Sequence, residues 1–399
     1  VNDLLLRGGF VVDGTGAPPE RADVAIRAGR IVAVGDLDGE RAARTLDASD
    51  RVVTPGFIDI HAHSDEAMLV NGALESALHM GVTTAVNGNC GGSSAPVFGS
   101  AADELERELA RFDLARSWST FGEYAAAVER SGVAINVCSF VGHGTLRTSV
   151  MGAVARAPSG AELATMRALL ERSLDEGAIG LSSGLIYPPS AYGDTAELAA
   201  LCGAVRERGA LYASHIRNEG ARLLEAVEEN LEIGRRSGVR VQLSHHKAAG
   251  RRNWGLVRES SALVERARAG GLDVAADQYP YAASSTGLAV VIPNWVHDGG
   301  PLAMCERLRD PAVRARIAGE ETETGRAWEA IVIARARQRP EWAGRSVAEL
   351  AAGVGREPLD WACDALIVHE GAVDIIHHSM DEQDVRFVMA KPWVCIGSD

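Results

Sequence analysis

The sequence predicts an α/β fold: a (β/α)8 TIM-like barrel with a small N-terminal β-sandwich domain. Three observations carry this expectation. The chain opens with β patterns only. Apolar, β-branched runs then alternate with stretches of helical spacing rich in Ala, Leu, Glu and Arg. Residues able to do chemistry recur at the carboxyl ends of the runs, where a barrel gathers its active site.

The elements follow in order. Residues 3–12 read as a strand interrupted by Gly8-Gly9, and 22–26 with 29–35 read as a hairpin. They give a small domain over 1–54, and the barrel follows over 55–399. Strand patterns fall at 52–61, 82–88, 133–141, 178–183, 211–215, 240–245, 272–278 and 393–397. Helical patterns cover 101–112, 160–176, 194–208, 221–237 and 256–270. Eight β-then-α units fit a closed barrel better than an open sheet. The long interval between 278 and 393 requires an insertion, placed around 290–390 and expected to be mostly helical over 301–354.

Composition narrows the function. A chain of 399 residues, 46% hydrophobic and 24% charged, suits one large barrel. The net charge of −14 argues against nucleic acid or an anionic membrane surface as partner and leaves a small-molecule substrate. No apolar run reaches the roughly 20 residues of a membrane span, and no signal-peptide pattern opens the chain. Six scattered cysteines read as reduced thiols, hence a cytoplasmic protein.

The chemistry begins with His61-Ala62-His63, which ends the first barrel run. Two imidazoles two residues apart on a strand face the same side. Cys90 ends the next run, after Gly88-Asn89, and its thiolate could share a metal with them. These are soft, zinc-favouring ligands. Three further runs end in candidate ligands: Ser214-His215, Ser244-His245-His246-Lys247 and Gly397-Ser398-Asp399. Each segment alone is weak. Five of them at five strand ends, in an order a barrel would converge, are not.

Pro55-Gly56-Phe57-Ile58-Asp59-Ile60-His61-Ala62-His63 resembles the signature of the amidohydrolase superfamily. Gly81-Val82-Thr83-Thr84, Gly88-Asn89-Cys90-Gly91, Ser214-His215-Ile216-Arg217-Asn218-Glu219-Gly220, Ser244-His245-His246-Lys247 and Asp277-Gln278-Tyr279-Pro280-Tyr281 narrow the resemblance to the N-acyl-D-amino-acid deacylases. The resemblance implies zinc-dependent hydrolysis of the amide of N-acyl-D-amino acids. It implies a tight zinc site at Cys90, His215 and His245 and a weaker one at His61, His63 and Asp399, with Cys90 bridging. Asp399 would be the catalytic acid–base. Tyr187, Lys247 and Ser284 would contact substrate. Many related hydrolases bridge two zincs with a carboxylated lysine on the fourth strand. No lysine precedes Lys247 here, so Cys90 is the natural substitute. A substrate-carboxylate arginine is expected beyond the catalytic aspartate. The sequence stops at Asp399, so the chain is expected to be a portion of a longer protein lacking its C-terminal remainder. Alternatives are a related cyclic-amide or dipeptide hydrolase, or an inactive metal-binding relative.

Other residues have plainer readings. His143, between Gly142 and Gly144, could line the substrate pocket or be structural. His246 should point away from His245, toward packing. Adjacent His377 and His378 face opposite ways and should not share a metal. Arg217 and Glu219 are expected to form an ion pair or loop hydrogen bonds, and the tryptophans to be core or pocket wall.

Overall fold

The computed structural model describes residues 1–324 and 326–399, which form two compact units: 1–58 with 79–83, and 59–78 with 84–399. The first unit is a five-stranded sheet, one layer of the sandwich expected from the sequence. Its order is Arg30–Gly35, Glu20–Arg27, Asn2–Val11 and Ala42–Asp47, with Val52–Val53 also pairing with Asn2–Val11. Strand Ala42–Asp47 was not expected from the sequence. The Gly8-Gly9 interruption is a register slip between Leu6 and Gly9. Gly8 takes φ +67°, and a Cβ on Gly9 would lie 2.7 Å from the Val53 side chain. The Asp23 carboxylate accepts the freed Gly8 N–H at 2.7 Å.

The second unit is a (β/α)8 barrel with an insertion. Strands Val141–Gly142, Gly180–Gly184, Leu211–His215, Arg240–Leu243, Val274–Gln278 and Val394–Ile396 lie side by side, all parallel. Thr84–Asn87 pairs in parallel with Asn136–Ser139, and Ile179 N–H donates to the Ser139 carbonyl, continuing the ring. Closure comes at the last strand. Ser398 donates to the Asp59 carboxylate from its backbone at 2.9 Å and its hydroxyl at 2.6 Å. Asp399 N–H donates to the His61 carbonyl at 2.8 Å.

Helices Gly99–Leu109, Gly160–Asp175, Thr195–Glu207, Leu223–Ser237 and Val257–Ala269 occupy the stretches with helical spacing. Their ends carry legible signals. Ser159 and Glu162 form a reciprocal capping box, Asp194 caps the next helix, and Gly238 at φ +70° ends Leu223–Ser237. Their inner faces place Leu170, Leu201, Val227, Leu231 and Val264 against Leu181, Tyr212, Val241 and Val274 of the strands. Each such side chain contributes about 1.5–3 kcal/mol by leaving water.

The insertion adds a sheet to its helices. It contains an antiparallel sheet, Ser284–Gly287, Val373–His377 and Ile331–Ala336, with Val373–His377 central. Helices Pro301–Arg307, Val347–Ala352 and Pro358–Val368 accompany it. Leu288, Ile333, Leu350, Trp361, Leu366 and Ile375 give it a hydrophobic cluster of its own. Most of 301–354 is helical, Pro311–Thr324 included, with strand Ile331–Ala336 inside it, while Ser284–Gly287 and Val373–His377 lie outside that interval. Four- to six-residue strands separated by such intervals leave too little alternation to detect in sequence.

Candidate active site

Each candidate ligand sits where a barrel strand gives way to a loop. His61 follows Phe57–Asp59, and Cys90 follows Val82–Asn87. His215 ends Leu211–His215, His245 follows Arg240–Leu243, and Asp399 follows Val394–Ile396. The Cys90 turn is tight: φ is +70° at Gly88, +52° at Cys90 and +79° at Gly91. His245 and Asp399 also have positive φ, +33° and +61°. Non-glycine residues in this region cost about 1–3 kcal/mol each and persist where the surrounding structure demands them. Gly184 completes the turn, since a Cβ there would lie 2.0 Å from the Cys90 carbonyl oxygen.

The side chains converge. Cys90 Sγ lies 3.4 Å from His61 Nε2 and 3.4 Å from His245 Nε2. The His215 and His245 rings are 4.3 Å apart between centroids. Asp399 Oδ1 lies 3.1 Å from His63 Nε2 and 3.4 Å from His61 Nε2. Three sets of donor atoms gather within 4.8 Å: His61, Cys90 and His245; His61, His63 and Asp399; and His215, Glu219 and His245. Thus the structure places Cys90 with His61 and His245, and brings His215 in through Glu219, with His245 common to both.

Two carboxylates, Asp277 and Glu219, support this cluster. Asp277 Oδ1 sits 3.0 Å from His61 Nδ1 and accepts the His245 backbone N–H at 2.7 Å. Glu219 Oε1 sits 3.0 Å from His245 Nδ1 and 2.6 Å from Lys247 Nζ. In both histidines Nδ1 meets a buried carboxylate while Nε2 faces the thiol, the arrangement that orients metal-binding imidazoles. His215 is buried and neither of its ring nitrogens has a hydrogen-bond partner.

Electrostatics point the same way. Burial alone would raise the Cys90 thiol, but the charges of His61 and His245 carry it well below the usual thiol range. Burial would likewise raise Asp399, yet the hydrogen bond from His63 and the nearby histidines hold its carboxyl well below the usual range. Burial disfavours charge on His63 and His245. The Asp399 carboxylate and Cys90 nevertheless lift His63 to about 10, and Glu219 and Cys90 lift His245 to about 9. Anionic donors that hold protons this firmly on facing imidazoles favour a divalent cation in the protons' place. The donor set of thiolate, imidazole and carboxylate suits zinc.

Above the cluster lies a cavity of about 670 Å³. The barrel supplies Tyr187, His215, Lys247 and Asp399 to its wall, and the inserted sheet supplies Ser284, Thr286, Ile376 and His377. Burial and the Cys90 thiolate push Tyr187 well above the usual phenol range, so it remains a donor, 3.1 Å from Thr286 Oγ1. Lys247 is only 6% exposed and is held by Glu219, to which its Nζ donates at 2.6 Å, and it faces the cavity.

Two expectations need correcting. His143 does not reach this cavity. It is fully buried between Ser190 Oγ at 2.8 Å and Glu197 Oε1 at 2.9 Å, and burial lowers its pKa so that it is neutral. Its flanking glycines reflect close packing, since a Cβ on Gly142 would lie 2.5 Å from the Gly91 carbonyl oxygen. Arg217 pairs with Glu229 at 2.8 Å, not with Glu219, because Glu219 turns inward to His245 and Lys247. His246 donates to or accepts from Ser260 Oγ at 3.0 Å, on the side away from the cluster.

The network around His143 has a measurable consequence. Glu197 also takes two hydrogen bonds from the fully buried Arg147, both 2.7 Å. Glu197→Ala would leave that guanidinium buried and uncompensated, a loss of about 3–5 kcal/mol. The denaturant midpoint should fall accordingly, and a change under about 1 kcal/mol would show that the pair is not structural.

Residues 44–362 match the amidohydrolase family (Amidohydro_3), and the chain belongs to that family. It is 38% identical to an N-acyl-D-glutamate deacylase of Alcaligenes xylosoxydans xylosoxydans over 401 aligned residues, covering 100% of this chain and 73% of that protein. It is 36% identical to a D-aminoacylase of the same organism, covering 100% and 74%. Among solved structures, the N-acyl-D-glutamate deacylase of Bordetella bronchiseptica, in complex with zinc and a phosphonate mimic of the tetrahedral intermediate, superposes with a TM-score of 0.83. It shares 36% identity, covering 100% of this chain and 76% of the other. A D-aminoacylase structure gives the same figures.

Proposed function

We propose that this protein hydrolyses the amide bond of N-acyl-D-amino acids, giving a D-amino acid and a carboxylic acid, with zinc as cofactor. The observation that carries this reading is the convergence of Cys90, four histidines and Asp399 beneath one cavity, in a chain aligned over its whole length with N-acyl-D-amino-acid deacylases.

Cys90, His215 and His245 would hold the tighter zinc, and His61, His63 and Asp399 a weaker one, with Cys90 between them. When bound, zinc supplies Lewis acidity that makes water a competent nucleophile near neutral pH. The remaining chemistry belongs to side chains. Asp399, kept ionised by His63, takes a proton from the attacking water on Oδ1 and returns it to the leaving amine nitrogen. Tyr187, kept protonated, donates to the oxygen on which charge develops. Glu219 and Asp277 fix the ring orientations of His245 and His61. Ser284 lines the cavity wall and would contact substrate. All six cysteines are free, in keeping with a reducing, cytoplasmic setting. No helix among the described residues is long and apolar enough to cross a membrane.

A substrate panel on the zinc-loaded protein tests the reading. N-acyl-D-amino acids should be cleaved with release of free amino acid. Opening of hydantoin or cleavage of dipeptides without any deacylation would replace this function with another of the same family.

A further inference from the structure

A second cavity, of about 540 Å³, shares His63, Cys90 and Tyr187 with the wall of the substrate cavity. Its acidic lining residues are Asp65, Glu66, Glu104 and Glu108, set against the His63 imidazole, with neither lysine nor arginine among the lining residues. Glu108 pairs with Arg111 at 2.7 Å, and Glu66 accepts from Ser94 Oγ at 2.6 Å. Asp65 is different. It is 7% exposed and sits two residues past His63. Its Oδ2 accepts a long hydrogen bond, 3.3 Å, from Gly88 N–H, while its buried Oδ1 has no partner. A buried carboxylate oxygen left unsatisfied is costly and calls for a cationic partner.

We propose that this second cavity is the route by which the divalent cation reaches the cluster, with Asp65 as its transient ligand. The proposal rests on the zinc reading above. Acidic walls of low dielectric concentrate cations and exclude anions. An N-acyl amino acid and the carboxylate released from it are both anionic, so the same walls turn them toward the other cavity. Metal and substrate therefore use separate openings onto one site. Among the described residues, the donor sets lying within 4.8 Å of one another do not include Asp65 or Glu66, and the role assigned to Asp65 is a transient one.

The test is the rate of zinc uptake by chelator-stripped protein, followed with a chromophoric zinc indicator. Asp65→Asn combined with Glu104→Gln should slow uptake about tenfold or more, the scale of electrostatic steering, and flatten its dependence on ionic strength. The final zinc stoichiometry and the kcat of the fully loaded protein should match the parent. Glu104→Gln with Glu108→Gln, nearer the surface, should slow uptake in the same direction and guards against a folding defect at Asp65. Unchanged uptake rates in both variants, with normal stoichiometry, overturn the entry route and leave the zinc reading intact. A parent protein that takes up no zinc overturns both.

Discussion

Cys90→Ala should strip the protein of its tightly held zinc and lower turnover of N-acyl-D-amino acids by about a thousandfold or more, equivalent to roughly 4 kcal/mol of transition-state stabilisation. The size follows from position. Cys90 Sγ is the one atom 3.4 Å from Nε2 of both His61 and His245. Its removal takes away the soft anion of the cluster and leaves imidazoles beside carboxylates. The main chain should not rearrange, because alanine meets the φ of +52° no worse than cysteine does. Elemental analysis and turnover are measured on the same preparation. Full zinc occupancy in the variant would remove Cys90 from the metal site.

Asp399→Asn should behave differently: zinc retained at the tight site, turnover reduced by about 10²–10⁴-fold. Asparagine keeps the shape and can still meet His63, but it cannot accept a proton from water or pass one to the leaving amine. Loss of activity together with loss of all zinc would make Asp399 chiefly a metal ligand. A rate within about threefold of the parent would deny it any part in proton transfer.

The two variants probe residues that were legible in sequence, for a physical reason. Ligands at strand ends follow β-branched runs, and His61-Ala62-His63 has the two-residue spacing that puts both rings on one face. What orients those ligands was not legible. Asp277 lies inside an apolar strand, and Glu219 lies on a loop beside Arg217, where ordinary charge pairing is the simplest expectation. Only the fold shows that Glu229, twelve residues from Arg217, takes that partner and frees Glu219 for His245 and Lys247. For His143 the sequence left pocket wall and structural residue both open, and its flanking glycines turn out to allow the close approach of the Gly91 backbone. The inserted sheet was hidden because its strands pair across intervals of tens of residues, leaving no local hairpin signal. Ala42–Asp47 was missed because it is short and mostly exposed, with no alternation to mark it.

The central claim is a zinc-dependent hydrolase that reads the chirality of an N-acyl amino acid. Its most direct test is kcat/KM for N-acetyl-D-methionine against N-acetyl-L-methionine, on protein carrying zinc and on the same protein after chelation. A misplaced α-carboxylate costs several kcal/mol of transition-state binding, so the D enantiomer should be favoured by about a hundredfold or more. Activity should vanish on chelation and return with zinc. Equal rates for the two enantiomers, or rates indifferent to zinc, would contradict the account.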